Sequence, residues 1–307
     1  MREPFPELSI FDSHTHAFPR DAIESPSDWA LKHRENHWKA LVAPEGGAVS
    51  LQGWVHREEF IEQMDREGIE GAVLLGWYWE NPESCQIQNS EMARWIASSP
   101  SQFRAMASVH PRGPRPDDLV RWAVENDFSG FGELLPSLQG TTLRDRFWDD
   151  LANRSVEADL LFNFHVTEPV GRPHPGRIAT PFEDLEYFVS RHPDLKIILS
   201  HWGGGLFLHE LNPYIRKLFR NVYYDCSASP LLYDPQIFKN ALQVLGPEKV
   251  LFGSDYPLRL YPRKDTNPGW IRFLQEIEGV SLERSDLSAI FSANAAKLFG
   301  FLNRPHP

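Results

Sequence analysis

His14 and His16 stand one strand period apart and close an apolar run that begins at Leu8. Side chains alternate along a strand, so both imidazoles point the same way and can meet one metal ion. Residues of ligand type also end other apolar runs: Glu133 after Gly132, His165 after Phe164, His201 after Ser200 and Asp255 after Ser254. Imidazole nitrogens and carboxylate oxygens gathered in one place suit a divalent transition metal. Zinc is expected first, with manganese or iron as the other candidates, and one or two ions are compatible with the residues. Such an ion lowers the pKa of bound water from about 15.7 to near 7, giving hydroxide at neutral pH. His-x-His alone is a weak signal that a solvated loop also satisfies; the argument rests on so many strand ends carrying ligand-type residues.

The elements that must position these groups follow a regular pattern. Apolar runs of strand length recur at 8–12, 71–77, 103–109, 128–135, 160–166, 195–201, 222–228 and 250–255. Helix-period stretches follow most of them, including 57–67, 182–192 and 235–246. Alternating strand and helix with continuous apolar strands implies a parallel sheet covered on both faces. The number of repeats predicts an α/β fold closed as a (β/α)8 TIM barrel, with the ligand-type residues at the C-terminal mouth. A doubly wound sheet is the alternative. It usually carries a Gly-rich phosphate loop after its first strand, where this chain has Asp12-Ser13-His14-Thr15-His16. Residues 18–54 interrupt the rhythm between the first strand and its helix and are expected to form a lid or a subunit contact over the mouth. Thr180-Pro181-Phe182-Glu183 reads as a helix start with Thr180 as the cap. The stretch Ser288–Phe301 is expected to close the barrel base as a last helix. No linker divides the 307 residues, which are expected to form a single barrel domain.

Composition narrows the function classes. Acidic residues outnumber basic ones, 42 to 31, for a net charge of −11. That balance disfavours nucleic-acid binding, which needs a basic face to neutralise phosphates. No apolar run is long enough for a membrane span, and the start has no apolar signal region. Two cysteines, Cys85 and Cys226, cannot build a disulfide framework and fit a reducing compartment, so a cytoplasmic location is expected.

Taken together, Asp12-Ser-His14-Thr-His16, Ile198-Leu-Ser-His201-Trp-Gly-Gly-Gly205 and Leu251-Phe-Gly-Ser-Asp255-Tyr-Pro257 resemble the amidohydrolase superfamily. Within it they are similar to the amidohydrolase-2 branch of metal-dependent barrel hydrolases and decarboxylases, in order and across essentially the whole chain. Gly132-Glu133-Leu and His165-Val-Thr-Glu168-Pro-Val-Gly171 resemble a subgroup of predicted hydrolases in that branch. The resemblance implies a bound divalent metal with His14, His16, His165 and Asp255 at the ligand positions, and His201 beside the metal-bound water. In binuclear relatives a fourth-strand group bridges two ions, with the fifth- and sixth-strand histidines on the second. Glu133 stands where that bridge would belong, and a ligand-orienting carboxylate is its other role.

The main functional expectation is a hydrolase acting on an ester, lactone or amide of a small organic substrate. Asp255 would take the water's proton and pass it to the leaving group, while His201 stabilises the oxyanion. The alternative is non-oxidative decarboxylation of an aromatic or enoic acid at the same site; a second alternative is a non-catalytic ligand-binding barrel. Substrate contacts are expected from Trp77 and Trp202 as aromatic mouth residues. His174, Arg177 and Arg259 are candidates on the loops after strands five and eight, an arginine there gripping a carboxylate. The partner expected is a small molecule, with a homodimer through the long insertion.

Overall fold

The computed structural model describes residues 4–46 and 49–301; Gly47 and Ala48 of the expected lid lie outside them. The strands are β1 (Phe11–His16), β2 (Gly71–Leu75), β3 (Phe103–Ala107) and β4 (Gly130–Leu134), followed by β5 (Leu161–Phe164), β6 (Ile197–Leu199), β7 (Val222–Asp225) and β8 (Val250–Leu251). They pair in parallel in chain order, with helices between them. The extended chain after β8 closes the barrel onto β1. Ser13 N donates to Phe252 O (2.8 Å), Asp255 N to His14 O (2.8 Å) and His16 N to Tyr256 O (2.7 Å). The expected (β/α)8 barrel is therefore the fold.

Parity explains the two apolar layers. Phe11, Val73, Leu75, Met106, Leu161, Ile198 and Leu251 form one buried cluster, closed by Leu298, Phe299 and Phe301 from the C-terminal stretch. Alternate residues such as Ala72, Leu74, Ala105, Phe162, Ile197 and Val250 pack instead with Phe60, Phe188, Phe238 and Phe273 of the surrounding helices. Both faces of each strand are thus buried, which is why the strands read as unbroken apolar runs.

That parity is broken at two places. Phe11 and Asp12 pair with Gly71 and Ala72, but Thr15 pairs with Leu74. Phe131 pairs with Phe162, but Leu134 with Phe164. Each shift inserts one residue, a bulge that reverses which side chains face inward beyond it. The first lies at Ser13-His14, between Asp12 and Thr15, and the second at Gly132-Glu133, so each falls where a ligand-type side chain enters the mouth.

Residues 18–54 carry the short helices Arg20–Glu24, Pro26–His33 and Asn36–Val42. Their Phe18, Trp29 and Trp38 pack with Trp77, Tyr78 and Trp79, the residues that follow β2. The buried Glu35 carboxylate accepts from Glu80 N (2.8 Å) and Asn81 N (3.2 Å), tying this segment to the start of the helix Pro82–Ser98. Gln52 bridges to Leu258 beyond β8. One capping expectation fails: Pro181 holds the cap position of the helix Phe182–Arg191. The Thr180 hydroxyl instead donates to the His165 carbonyl (3.1 Å), satisfying an acceptor at the buried end of β5. No helix among the described residues is long and apolar enough to cross a membrane.

Candidate metal centre

The ends of β1, β4, β5, β6 and the chain beyond β8 bring His14, His16, Glu133, His165, His201 and Asp255 together. His14 and His16 stand edge to face, ring centroids 5.2 Å apart. Each uses Nδ1 on an acceptor: His14 donates to Asp225 Oδ2 (2.9 Å) and His16 to the Leu75 carbonyl (3.1 Å). Because those partners only accept, each ring in its neutral form carries its proton on Nδ1 and turns the Nε2 lone pair to the cluster, where the carboxylates that favour a second proton on His14 equally favour a cation. Both Nε2 atoms are buried without a hydrogen-bond partner. They face Asp255 Oδ1, at 3.8 Å from His14 and 3.3 Å from His16, and Glu133, at 3.7 and 3.9 Å. Burying such groups unpaired is costly. Converging lone pairs with nearby carboxylate oxygens are what a divalent cation satisfies, so the residues present fit one. Among the described residues, two overlapping groups have the spacing to hold an ion: His14, His16 and Asp255, and His14, Glu133 and His201.

The backbone supports this purpose. His201 (φ 57°), Trp202 (φ 58°) and Asp255 (φ 72°) lie in the left-handed region that favours glycine, strain that persists where surrounding structure enforces it and that clusters at functional sites. Behind the imidazoles, Asp225 serves two of them. Besides His14, it accepts from His201 N (3.1 Å) and from the Ser227 hydroxyl, whose oxygen lies 2.8 Å from His201 Nδ1. Asp12 accepts from His14 N, from the Ser254 backbone and hydroxyl and from the Trp270 indole (2.6 Å).

Electrostatics follow from that crowding. Burial disfavours a charged His14, yet the Asp225, Glu133 and Asp255 carboxylates overrule it and push its pKa up to about 10. For Glu133 burial is again opposed, by His165 and His14, and the carboxyl is held well below its ordinary range. Asp225 is drawn down to about 2 against its burial, chiefly by His14. Burial alone lifts Asp12 to about 6 despite its hydrogen bonds.

The placement differs from expectation for several residues. His165 is on the far side of Glu133 rather than beside His16: its Nδ1 meets Glu133 Oε1 (2.8 Å) and its Nε2 the Gly176 carbonyl (3.2 Å). His201 Nε2 lies 3.2 Å from His165 Nδ1 and 3.4 Å from Glu133. Glu133 is thus central, between both pairs of histidines. Trp77 does stand at the cluster, edge-on to His16 at 5.4 Å, with Tyr78 stacked on it and 4.8 Å from His165. Trp202 does not: it is fully buried against Phe207 and Phe238, its indole donating to Ser229. The left-handed turn that follows His201 carries its ring away from the mouth. His174 faces Glu168 (3.7 Å), Arg177 donates to the Gly171 carbonyl and Arg259 to the Ser50 carbonyl. Their loops fold back on themselves or onto the 49–54 segment, and the bonds these side chains make there are to loop groups rather than to the metal-binding residues. Ser227 and Trp270 have no sequence signal, since His201 and Asp12, the site groups they reach, lie far from them in the chain.

Parallel strands whose mouth gathers imidazoles and carboxylates with free lone pairs define a barrel enzyme equipped for a divalent ion. The chain belongs to the amidohydrolase family, which it matches over residues 11–301. It is 21% identical over 254 residues, 68% of each chain, to 2-amino-3-carboxymuconate-6-semialdehyde decarboxylase of Dictyostelium discoideum. Among solved structures it resembles 5-carboxyvanillate decarboxylase from Novosphingobium aromaticivorans, complexed with manganese and 4-hydroxy-3-methoxy-5-nitrobenzoic acid. The TM-score is 0.70 at 18% identity, covering 97% of this chain and 98% of that one. A probable 2-pyrone-4,6-dicarboxylic acid hydrolase from Acinetobacter baumannii, with citric acid bound, matches with a TM-score of 0.63 at 15% identity, covering 96% and 100%.

Proposed function

We propose that this amidohydrolase-family enzyme is a metal-dependent, non-oxidative decarboxylase of a small planar aromatic or enoic acid. The observation that carries the reading is the aromatic wall of Trp77 and Tyr78, set directly against His16 and His165 at the rim of the metal-binding cluster. A planar acid stacked there presents its carboxylate to the imidazoles. The decarboxylases among its relatives support the same choice. His14, His16 and Asp255, with Glu133 behind them, are the residues that would hold a single ion. Their mixed nitrogen and carboxylate set suits manganese as well as zinc, and manganese is the ion in the neighbouring decarboxylase. When bound, the ion supplies the positive charge that draws in and neutralises the substrate's acidic oxygens.

The reaction breaks the bond to the carboxylate carbon, leaves its electron pair on the carbon framework, adds a proton there and releases carbon dioxide. Asp255 is placed to move that proton, because its side chain is 14% exposed while those of His14, His16 and Glu133 are at most 2%. His201, held through Nδ1 by Ser227, keeps Nε2 turned toward Glu133 and orients the acid. Asp225 fixes His14 and the His201 backbone, and so keeps both rings in register.

Hydrolysis of a lactone, ester or amide is the second reading, supported by the likeness to the pyrone hydrolase. The manganese- or zinc-loaded protein is tested on dihydroxybenzoates, carboxyvanillates and pyrone dicarboxylates. Carbon dioxide release with no oxygen from labelled water in the organic product is expected. Ring opening with one labelled oxygen and no carbon dioxide would overturn decarboxylation in favour of hydrolysis.

A further inference from the structure

Gln88 lies on the helix Pro82–Ser98 and is completely buried, and its side-chain hydrogen bonds go to residues other than the metal-binding ones. Its amide is nonetheless spent on the segment beside them. Oε1 accepts from Trp77 N (2.6 Å) and from the Trp79 indole (2.7 Å), and Nε2 donates to the Ala17 carbonyl (2.9 Å). Ala17 follows His16, so one side chain joins the residue after a metal-binding histidine to the aromatic stretch that walls the site. The far end of that stretch is held similarly: Gln139 Nε2 donates to the carbonyls of Trp79 (3.0 Å) and Val109 (2.7 Å). The Ser108 hydroxyl donates to the Trp77 carbonyl.

These bonds bear on the chemistry because residues 77–79 belong to no strand or helix. Without a ladder, side-chain amides set where the Trp77 ring stands. The Trp77 ring stands edge-on to His16 with centroids 5.4 Å apart, so its position sets how close an aromatic side chain lies to the metal-binding cluster. Buried and fully bonded polar groups of this kind fix one arrangement, since any other leaves an amide unpaired.

We infer that Gln88 is a positioning residue that holds Trp77 against His16 and thereby selects planar aromatic acids over saturated ones of the same charge. The selection rests on the decarboxylase reading above; the positioning does not.

The test uses Gln88→Met, which keeps length and volume but removes all three bonds, and Gln88→Glu, which keeps the acceptor for Trp77 and Trp79. Each full-length variant is loaded with manganese, crystallised and titrated with 2,6-dihydroxybenzoate and with cyclohexanecarboxylate. The expected result is Trp77 displaced from His16 in Gln88→Met, with bound manganese unchanged. The dissociation constant for the aromatic probe should rise about tenfold, the equivalent of roughly 1.4 kcal/mol, while that for the saturated probe stays within twofold. Gln88→Glu should restore both Trp77 and the aromatic preference. Trp77 unmoved in Gln88→Met would overturn the positioning role whatever the substrate. Equal loss of both probes together with manganese would overturn it as well, marking Gln88 as merely structural. If Gln88→Met does not fold, Gln88→Glu with Trp77 displaced would overturn it, and Trp77 retained with the aromatic preference intact would support it. A wild-type protein that binds neither probe, with Trp77 displaced in Gln88→Met, would sink the aromatic-acid reading and leave the positioning standing.

Discussion

His14 and His16 each present Nε2 because Asp225 and the Leu75 carbonyl claim Nδ1. Removing a ligand and removing its orienting partner should therefore have different sizes of effect. His14→Ala or Asp255→Asn is expected to abolish metal retention and activity together, read by metal analysis of the purified protein beside the decarboxylation assay. Asp225→Asn leaves all ligands in place but loosens the His14 and His201 rings. It should weaken manganese affinity by about 10–100-fold, the usual cost of losing an outer-shell partner, measured by calorimetric titration. Glu133→Gln decides between one ion and two. With Glu133 orienting rather than bridging, the metal content per chain stays that of the wild type; a fall from two ions to one would show a bridge.

At the level of elements, the site depends on chain segments that leave their ladders early. β6 ends at Leu199, and His201 sits on a left-handed turn that continues through Gly203, Gly204 and Gly205. A Cβ at Gly204, whose φ is 58°, would stand 2.5 Å from the Thr167 carbonyl oxygen. Gly204→Ala is expected to destabilise the fold by about 1–3 kcal/mol through backbone strain and displacement of the loop after β5, read by urea denaturation. The Glu35 carboxylate is the corresponding fixture of the 18–54 segment. Glu35→Ala leaves the backbone amides of Glu80 and Asn81 without their acceptor. Amide exchange across 20–42 should then accelerate while manganese binding is kept. Slow exchange in that variant would show that the packing of Trp29 and Trp38 suffices to hold the segment.

For the whole molecule, the cluster links metal binding to folding, because its residues come from strands spread from β1 to the end of β8 and meet only when the barrel closes. An ion that binds the native chain alone stabilises it by about 2.7 kcal/mol at 100 times its dissociation constant. Adding manganese should raise the melting temperature and chelation lower it, with His14→Ala insensitive to both; an unchanged wild-type melting curve would argue against metal binding at this site. The barrel was legible in the amino-acid order, and so was the set His14, His16, Glu133, His201 and Asp255 that it brings within ligand spacing, since strand length, apolar continuity and a ligand-type residue at a strand end are local properties. So was the family, through motifs around His14, His201 and Asp255. What the order of residues could not contain were the bulges at Ser13-His14 and at Gly132-Glu133, which reverse side-chain facing by one inserted residue and depend on pairing with the neighbouring strand. Nor could it place Trp202 in the core, turn His165 toward Gly176, or join Gln88 to Trp77. Those outcomes follow from contacts between segments distant in sequence, where burial forces each polar atom to find whichever partner the closed barrel brings within reach.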